Sequence, residues 1–128
     1  MKHSISVQND VVLVVVSEKA NPEGYSLAAR DIVNLPEWKT GMKILIEYSH
    51  LDLSSLASAD APLYAKAIVP YKEAMGSGRM ACVNSKPAYF GMGRMWQVSM
   101  EAFTDLQVGI FYTMEEAMSW LSEPDQPK

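Results

Sequence analysis

The chain has 128 residues, of which 48% are hydrophobic and 20% charged, and its formal net charge is −4. This length predicts a single domain with a sizeable core, and the acidic balance argues against a general nucleic-acid binder, which needs a concentrated basic face. The lone cysteine, Cys82, excludes a disulfide within the chain and favours a cytoplasmic setting. We expect residues 1–122 to form the domain and 123–128 to be a flexible tail.

Strands and helices alternate along the sequence after an opening hairpin. In chain order they are strands at 4–8 and 11–16, a helix that ends before Pro36, a strand at 42–48, helix 61–75, a strand at 79–84, helix 87–103, a strand at 106–112 and a last helix that begins at Thr113. The apolar run 11–16 is too short for a signal peptide or a membrane span, so we expect neither. The order β-β-α-β-α-β-α-β-α predicts an α/β fold with a mixed sheet of four or five strands, largely parallel and covered by helices.

Helix 87–103 is rich in methionine and aromatic residues. The residues that share one narrow stripe of its helical wheel are Tyr89, Met92, Trp96, Met100 and Phe103. Such a stripe is typical of the core-facing side of an amphipathic helix. Phe90 falls on the polar face beside Arg94, which leaves two interpretations: a single exposed apolar residue, or a membrane or partner contact that also includes Val69.

Helix 61–75 contains Pro70 in its interior, where a proline removes a hydrogen bond and clashes with the preceding turn. We therefore predict a kink or a break near residues 66–70. The bend either wraps the helix around the sheet or acts as a hinge that opens an apolar cleft. The residues expected to line that cleft are Leu63, Tyr64, Ala67, Tyr71, Met92 and Trp96.

Polar residues follow three predicted strands at their carboxyl ends. They are Ser49, His50, Asn84, Ser85, Lys86 and Thr113. Ligands of open α/β sheets bind at this edge, and the free N–H groups of helix N-termini attract anions. If the three strands are neighbours, this edge would hold a phosphate or carboxylate headgroup; otherwise these are loop and capping residues.

Signals for catalysis and for metal binding are weak. His50 lies near Asp52 and several serines, but catalytic triads are assembled from distant segments, and no G-x-S-x-G nucleophile elbow is present. We expect a protein that is not an enzyme, and we rank a catalytic role for His50 and Asp52 third among the hypotheses. Two histidines and one cysteine without ligand spacing predict no metal, and we expect no cofactor.

Three segments of the sequence resemble the SpoIIAA-like group of STAS-type bacterial proteins. They are "MKILIEYSHLDLSSL", "RMACVNS" and "IFYTMEEAMSWLSE". The resemblance covers about residues 4–122, and it is most specific in the closing strand and helix, with Phe111, Glu116-Ala117 and Trp120-Leu121. It implies a mixed sheet of four or five strands with helices on it, and the group is related to Sec14-type lipid-binding domains.

The best-known relatives in this resemblance are anti-sigma-factor antagonists, which bind a kinase and are switched by serine phosphorylation. Their switch lies in an Asp-Ser-Ser-Gly-like turn after the third strand. Here the corresponding region reads Glu47-Tyr48-Ser49-His50, and Ser54 and Ser55 lie nearby as candidate phosphoserines.

The sequence thus leads to two ranked functions. The first is a non-enzymatic binding module for a lipid or other apolar small molecule, in a cleft gated by helix 61–75, with peripheral membrane association. The second is a regulatory protein–protein module of the antagonist type with a serine phosphoswitch. A protein partner or a homodimer stays open, and no nucleic acid is expected.

Overall fold

A computed structural model describes residues 1–54 and 56–124 as five strands, five α-helices and short 3-10 segments. The strands are β1 Lys2–Gln8, β2 Val11–Lys19, β3 Lys43–Asp52, β4 Arg79–Val83 and β5 Gln107–Phe111. The helices are α1 Pro22–Val33, α2 Ala61–Lys66, α3 Lys72–Met75, α4 Phe90–Phe103 and α5 Met114–Leu121. This is the predicted order of elements, with the expected helix 61–75 divided into two.

The five strands form one mixed sheet in the spatial order β1-β2-β3-β4-β5. β1 is antiparallel to β2, and the other neighbours are parallel. Asn9 and Asp10 have φ values of 53° and 63°, so both adopt the left-handed conformation that a two-residue hairpin turn requires. The predicted mixed α/β sheet and its opening hairpin are confirmed.

The helices divide unequally between the two faces of the sheet. Parallel strands in sequence order, joined by crossovers of one hand, place α1 to α4 on the same face. This α1–α4 face presents Val14, Ile46 and Cys82. The opposite α5 face presents Leu45 and Ala81 to α5.

The segment 61–75 breaks where Pro70 was expected to break it. α2 ends at Lys66 and a 3-10 turn spans Val69–Tyr71, because a proline at this position has no N–H to donate and its ring clashes with the carbonyl four residues earlier. The break shifts the helical phase, so Leu63 is 56% exposed while Ala65 and Ile68 are buried. The prediction that Leu63 lies on the buried face is therefore wrong.

Two boundaries also differ from the predicted ones. β3 continues to Asp52, which places Ser49 and His50 inside the strand instead of in a loop. At the other end of the chain, the carbonyls of Glu123 and Pro124 accept hydrogen bonds from Arg79 at 2.8 and 3.0 Å. The rest of the predicted tail, 125–128, lies outside the described residues. No helix in the described part of the chain is long and apolar enough to cross a membrane.

Candidate functional site

An apolar cavity of about 90 Å³ lies between the α1–α4 face of the sheet and the helices that cover it. The sheet contributes Val14, Val16, Ile46, Tyr48, Met80 and Cys82; the helices and the segment before α2 contribute, among others, Tyr25, Ala29, Leu53, Leu56, Tyr64, Met92, Gly93 and Trp96. Ligand pockets for drug-sized molecules measure about 300–1,000 Å³. A molecule of lipid size would therefore require the surrounding segments to move.

Three aromatic rings form one wall of the cavity. The ring of Tyr25 packs edge-on against Tyr64 at 4.8 Å and against Trp96 at 5.2 Å. The Tyr64 hydroxyl also donates a hydrogen bond of 3.2 Å to the carbonyl of Ala20, at the end of β2. This bond ties α2 to the sheet across the cavity.

Four methionines line the cavity, namely Met1, Met75, Met80 and Met92. Methionine side chains are unbranched and polarisable, so they adapt to ligands of different shape. The Met1 side chain packs on Gly24, where an added Cβ would come within 2.8 Å of it. A methionine-rich wall was expected from Met92, while the other three reach the cavity from separate parts of the chain.

Tyr48 brings a polar group into this apolar space. The residue is only 8% exposed, and its hydroxyl has no hydrogen-bond partner among the described protein atoms. A Cβ at Gly93 would lie 2.8 Å from this oxygen, so the missing side chain at Gly93 makes room for it. Leaving such a buried hydroxyl unpaired costs about 1–3 kcal/mol.

The titratable side chains that line the cavity are neutral at physiological pH. Burial raises the pKa of Tyr48 well above its ordinary value, with smaller contributions from Cys82, Tyr25 and Glu47. Burial likewise raises the pKa of Tyr25, and it raises the pKa of the Cys82 thiol to about 12 against a weaker opposing hydrogen bond from Trp96. No lining residue has an acidic or basic side chain. The Cys82 side chain is thus a buried core group with a protonated thiol.

The six predicted cleft residues have different locations. Tyr64, Met92 and Trp96 line the cavity, whereas Leu63 points outward and neither Ala67 nor Tyr71 is among the lining residues. The helical wheel failed here because it assumed one uninterrupted helix. The sequence reasoning missed three lining residues, namely Tyr25, Tyr48 and Gly93. Tyr48 could have been found, because side chains alternate along a strand and Tyr48 therefore lies on the same face of β3 as Ile46.

The two ends of the α2–α3 segment are held to different degrees. At the α3 end, the Trp38 indole donates to the carbonyl of Ala74 at 2.9 Å, and the Gly41 N–H donates to Met75 at 3.0 Å. At the α2 end, the Asp60 side chain makes no capping bond and accepts from the N–H of Ala57 instead. A helix of six residues without a side-chain cap has little stability of its own, so α2 depends on its packing and on the Tyr64 bond to Ala20 to stay in place.

The polar residues at the carboxyl edge of the sheet mostly satisfy one another or the backbone. Asn84 donates to the carbonyl of Tyr48 at 3.2 Å, and the Ser49 hydroxyl accepts from the N–H of Ser85 at 3.0 Å. The Thr113 hydroxyl caps α5 by accepting from the N–H of Glu116.

His50 and Lys86 complete the predicted headgroup set. His50 is opposite Ser17 in the β2–β3 register, and the Lys86 ammonium lies 5.8 Å from the ring centre of Tyr89. The structure thus brings Ser49, Asn84 and Ser85 together and gives their polar atoms roles within the fold. These contacts support the capping interpretation over a headgroup site.

The candidate switch and catalytic residues follow one another at the end of β3. Ser54 is exposed in a turn, where its N–H donates to the carboxylate of Asp52 at 2.9 Å. Hydrogen bonds from Ser54 hold the pKa of Asp52 below its ordinary value. Ser55, the other candidate phosphoserine, lies outside the described residues. Within the described part of the chain, His50 forms no hydrogen bond with a serine or an aspartate, and no group of three or more His, Cys, Asp or Glu side chains could hold a metal.

The three predicted membrane or partner contacts do not form one patch. Phe90 is half-buried and stacks on Tyr112 at 5.0 Å, so the expectation of a fully exposed ring is wrong. Arg94 and Val69 are exposed. Phe90 follows the carboxyl end of β4 and Val69 precedes its amino end, so the two lie toward opposite edges of the sheet.

A solved structure with this architecture is known from Shewanella loihica PV-4, an uncharacterized protein of the DUF3478 family with a SpoIIAA-like fold. The two chains are 19% identical, the similarity covers 94% of this chain and 92% of that one, and the TM-score is 0.56. This chain has a SpoIIAA-like fold. No protein-family model matches the sequence, and no curated protein matches it at a significant level. The fold predicted by the resemblance is confirmed, and function has to be argued from the site.

Proposed function

We propose that this protein is a non-enzymatic module that binds an apolar small molecule or lipid-like ligand in the cavity under α2. The observation that carries this proposal is the cavity itself. Its lining residues are apolar or neutral, and it lies within the main hydrophobic core, where native proteins are otherwise close-packed. The ligand would fill the space that the side chains of the core leave unoccupied there.

Access to the cavity would come from movement of α2, which contributes Tyr64 to its lining. Leu53, Leu56 and Ala57 line the cavity from the chain before α2. α2 lacks a side-chain cap, whereas the end of α3 is fixed by Trp38. We therefore expect α2 to swing about the break at 67–71, and longer ligands to enter beneath it.

The outer side of α2 supports the membrane part of this proposal. Leu63 lies there, in the first turn of α2, and its side chain is 56% exposed. An apolar side chain on the moving segment would contact the hydrocarbon region while a ligand passes from a membrane into the cavity. With a net charge of −4, the protein should show no preference for anionic lipids.

Binding is tested by NMR titration with ethylbenzene, a small apolar probe. Of the three tryptophans, Trp96 lines the cavity and Trp120 packs on the α5 face, so their indole N–H signals serve as site and internal control. We expect a saturable shift at Trp96 and none at Trp120. In the Ala29→Leu variant, the larger side chain fills the cavity and should abolish the shift. A wild-type Trp96 signal that stays unchanged would reject binding at this site.

Membrane association is tested by flotation with vesicles of neutral phosphatidylcholine. Leu63→Glu places a charge on the outer side of α2, and Met114→Glu makes the same change at an exposed apolar residue of α5. We expect the wild type and Met114→Glu to float and Leu63→Glu to stay in solution. If none of the three proteins floats, peripheral membrane association is excluded and ligand binding from solution remains.

A second candidate function is the phosphoregulated protein–protein module. Ser54 supports it, because this residue is exposed in the turn directly after β3 and lies between the cavity residues Leu53 and Leu56. A phosphate there would face the Asp52 carboxylate and disrupt the turn by charge repulsion. The Ser54→Asp variant should then lose a kinase partner that Ser54→Ala retains in a pull-down. Equal capture by both variants would reject a switch at Ser54.

A further inference from the structure

We propose that the Tyr48 hydroxyl donates a hydrogen bond to a carbonyl oxygen of the ligand, so that the cavity selects neutral apolar molecules that carry a ketone, ester or amide group. This role presupposes the binding function proposed above. It names the polar atom by which the site would orient its ligand.

The position of Tyr48 supports this role. Tyr48 is part of strand β3, and its backbone carbonyl accepts a hydrogen bond from the Asn84 side chain. The hydroxyl is buried, has no partner among the described protein atoms, and lies where Gly93 leaves space on α4. A buried donor on a rigid strand is a preorganised contact, because little side-chain freedom is lost when an acceptor binds.

The other tyrosine hydroxyl on the α2 side has a different role. Tyr64 donates to the carbonyl of Ala20, so its donor is already occupied. Among the tyrosines that line the cavity, Tyr48 is the one with a buried hydroxyl that has no partner among the described protein atoms.

The charges around the cavity favour a ligand with a neutral hydrogen-bond acceptor over one with an anionic acceptor. No lysine, arginine or histidine side chain lines the cavity, so a buried carboxylate or phosphate would find no cationic side chain there to compensate its desolvation. A phenol that stays protonated offers one donor without a net charge. The site is thus suited to a carbonyl oxygen and unsuited to a fatty-acid carboxylate.

Three probes of similar shape separate these cases, namely acetophenone, ethylbenzene and benzoate. Each is titrated into the wild type and into Tyr48→Phe, which keeps the ring and removes only the hydroxyl, with the Trp96 indole signal as the readout. Tyr112→Phe makes the same change at an exposed tyrosine outside the cavity and is the matched control. A second variant, Gly93→Ala, places a methyl group 2.8 Å from the original hydroxyl position.

We expect Tyr48→Phe to weaken acetophenone binding about fivefold and to leave ethylbenzene within about twofold, while Tyr112→Phe changes neither. Gly93→Ala should weaken acetophenone binding more than ethylbenzene binding, and benzoate should bind the wild type more weakly than acetophenone does. If Tyr48→Phe affects acetophenone and ethylbenzene equally, or affects neither, the hydroxyl does not recognise an oxygen and the inference fails, while the binding function stands. Tighter binding of benzoate overturns the preference for neutral ligands. If the wild type binds none of the probes, the binding function itself fails, and the role of Tyr48 with it.

Discussion

The two faces of the sheet are built from similar apolar residues and packed in different ways. On the α5 face, small residues let one helix approach closely: Ala81 and Ala117 are fully buried, and Gly109 leaves space for the rings of Phe111 and Trp120, which contact each other at a tilt. On the α1–α4 face, several helices cover a wider area and leave the cavity between them. Close packing on one face and incomplete packing on the other suggest a division between stability and binding.

The helices that cover the two faces are also anchored differently. Arg79, at the start of β4, donates to the carbonyls of Trp120, Glu123 and Pro124 at 2.9, 2.8 and 3.0 Å. These carbonyl groups lie at and just after the carboxyl end of α5, where a cation also complements the helix dipole. α2 has no such anchor at its amino end. Local opening should therefore begin at α2 and not at α5.

The largest expected effect comes from removing the anchor of α5. Arg79→Met keeps the aliphatic stem and removes three charge-assisted hydrogen bonds, so we expect the free energy of unfolding to fall by roughly 3 kcal/mol. Urea unfolding measures the change. Arg94→Met is the control at an exposed arginine, where the change should stay within about 0.5 kcal/mol. Equal losses in the two variants would contradict the anchoring role.

Enlarging one alanine on each face compares the packing directly. Ala81→Leu adds volume where none is free and should lower the free energy of unfolding by about 1–3 kcal/mol. Ala29→Leu projects into the cavity and should change it by less than about 1 kcal/mol, because the added atoms replace empty space. The same urea measurement applies. A larger loss at Ala29 than at Ala81 would mean that the α1–α4 face is the tighter one.

The buried thiol of the α1–α4 face makes stability depend on alkaline pH. Its pKa rises from 9.0 to about 12 on burial, so the unfolded chain releases this proton first and stability falls as pH rises from about 9 toward 12. At pH 10 we expect this one group to lower the free energy of unfolding by on the order of 1 kcal/mol relative to neutral pH. The free energy of unfolding, measured at pH 7 and at pH 10, should fall by this amount more in the wild type than in Cys82→Ala. Parallel pH profiles would show that the thiol titrates normally in the folded protein.

The smallest expected changes in stability come from removing the hydroxyl of either of two tyrosines on the α1–α4 face. Tyr64→Phe loses the hydrogen bond to Ala20 and should lower the free energy of unfolding by about 1 kcal/mol. Tyr48→Phe loses no bond within the protein and should leave it unchanged or raise it. Thermal unfolding of both variants at one pH checks the order. A greater loss for Tyr48→Phe would show that its hydroxyl already has a partner in the free protein.

Local signals in the sequence predicted most of the fold. The hairpin turn at Asn9-Asp10, the break at Pro70 and the cap of α5 by Thr113 each depend on residues next to one another in the chain. The stripe of α4 was also correct, because a single unbroken helix keeps its phase: Met100 is buried, and Met92 and Trp96 pack on the core. Such features follow from propensity and periodicity alone.

The candidate site was only partly predictable, because its geometry depends on contacts between distant segments. The pairing of Tyr48 with Gly93 requires the packing of α4 on β3, and Arg79 meets α5 only after the sheet has formed. Leu63 was misplaced because the break at Pro70 changed the phase of a helix treated as continuous. At the expected headgroup site, polar atoms already form hydrogen bonds within the fold, such as the one from the Ser85 N–H to the Ser49 hydroxyl.

The most direct test of the central claim is a crystal of the protein pressurised with xenon, an apolar atom that enters dry cavities. The account predicts xenon density between Tyr25, Tyr48 and Trp96, and its loss in crystals of Ala29→Leu. Xenon absent from this position in the wild type, or bound only beneath α5, would contradict the claim that the α1–α4 face holds a ligand site.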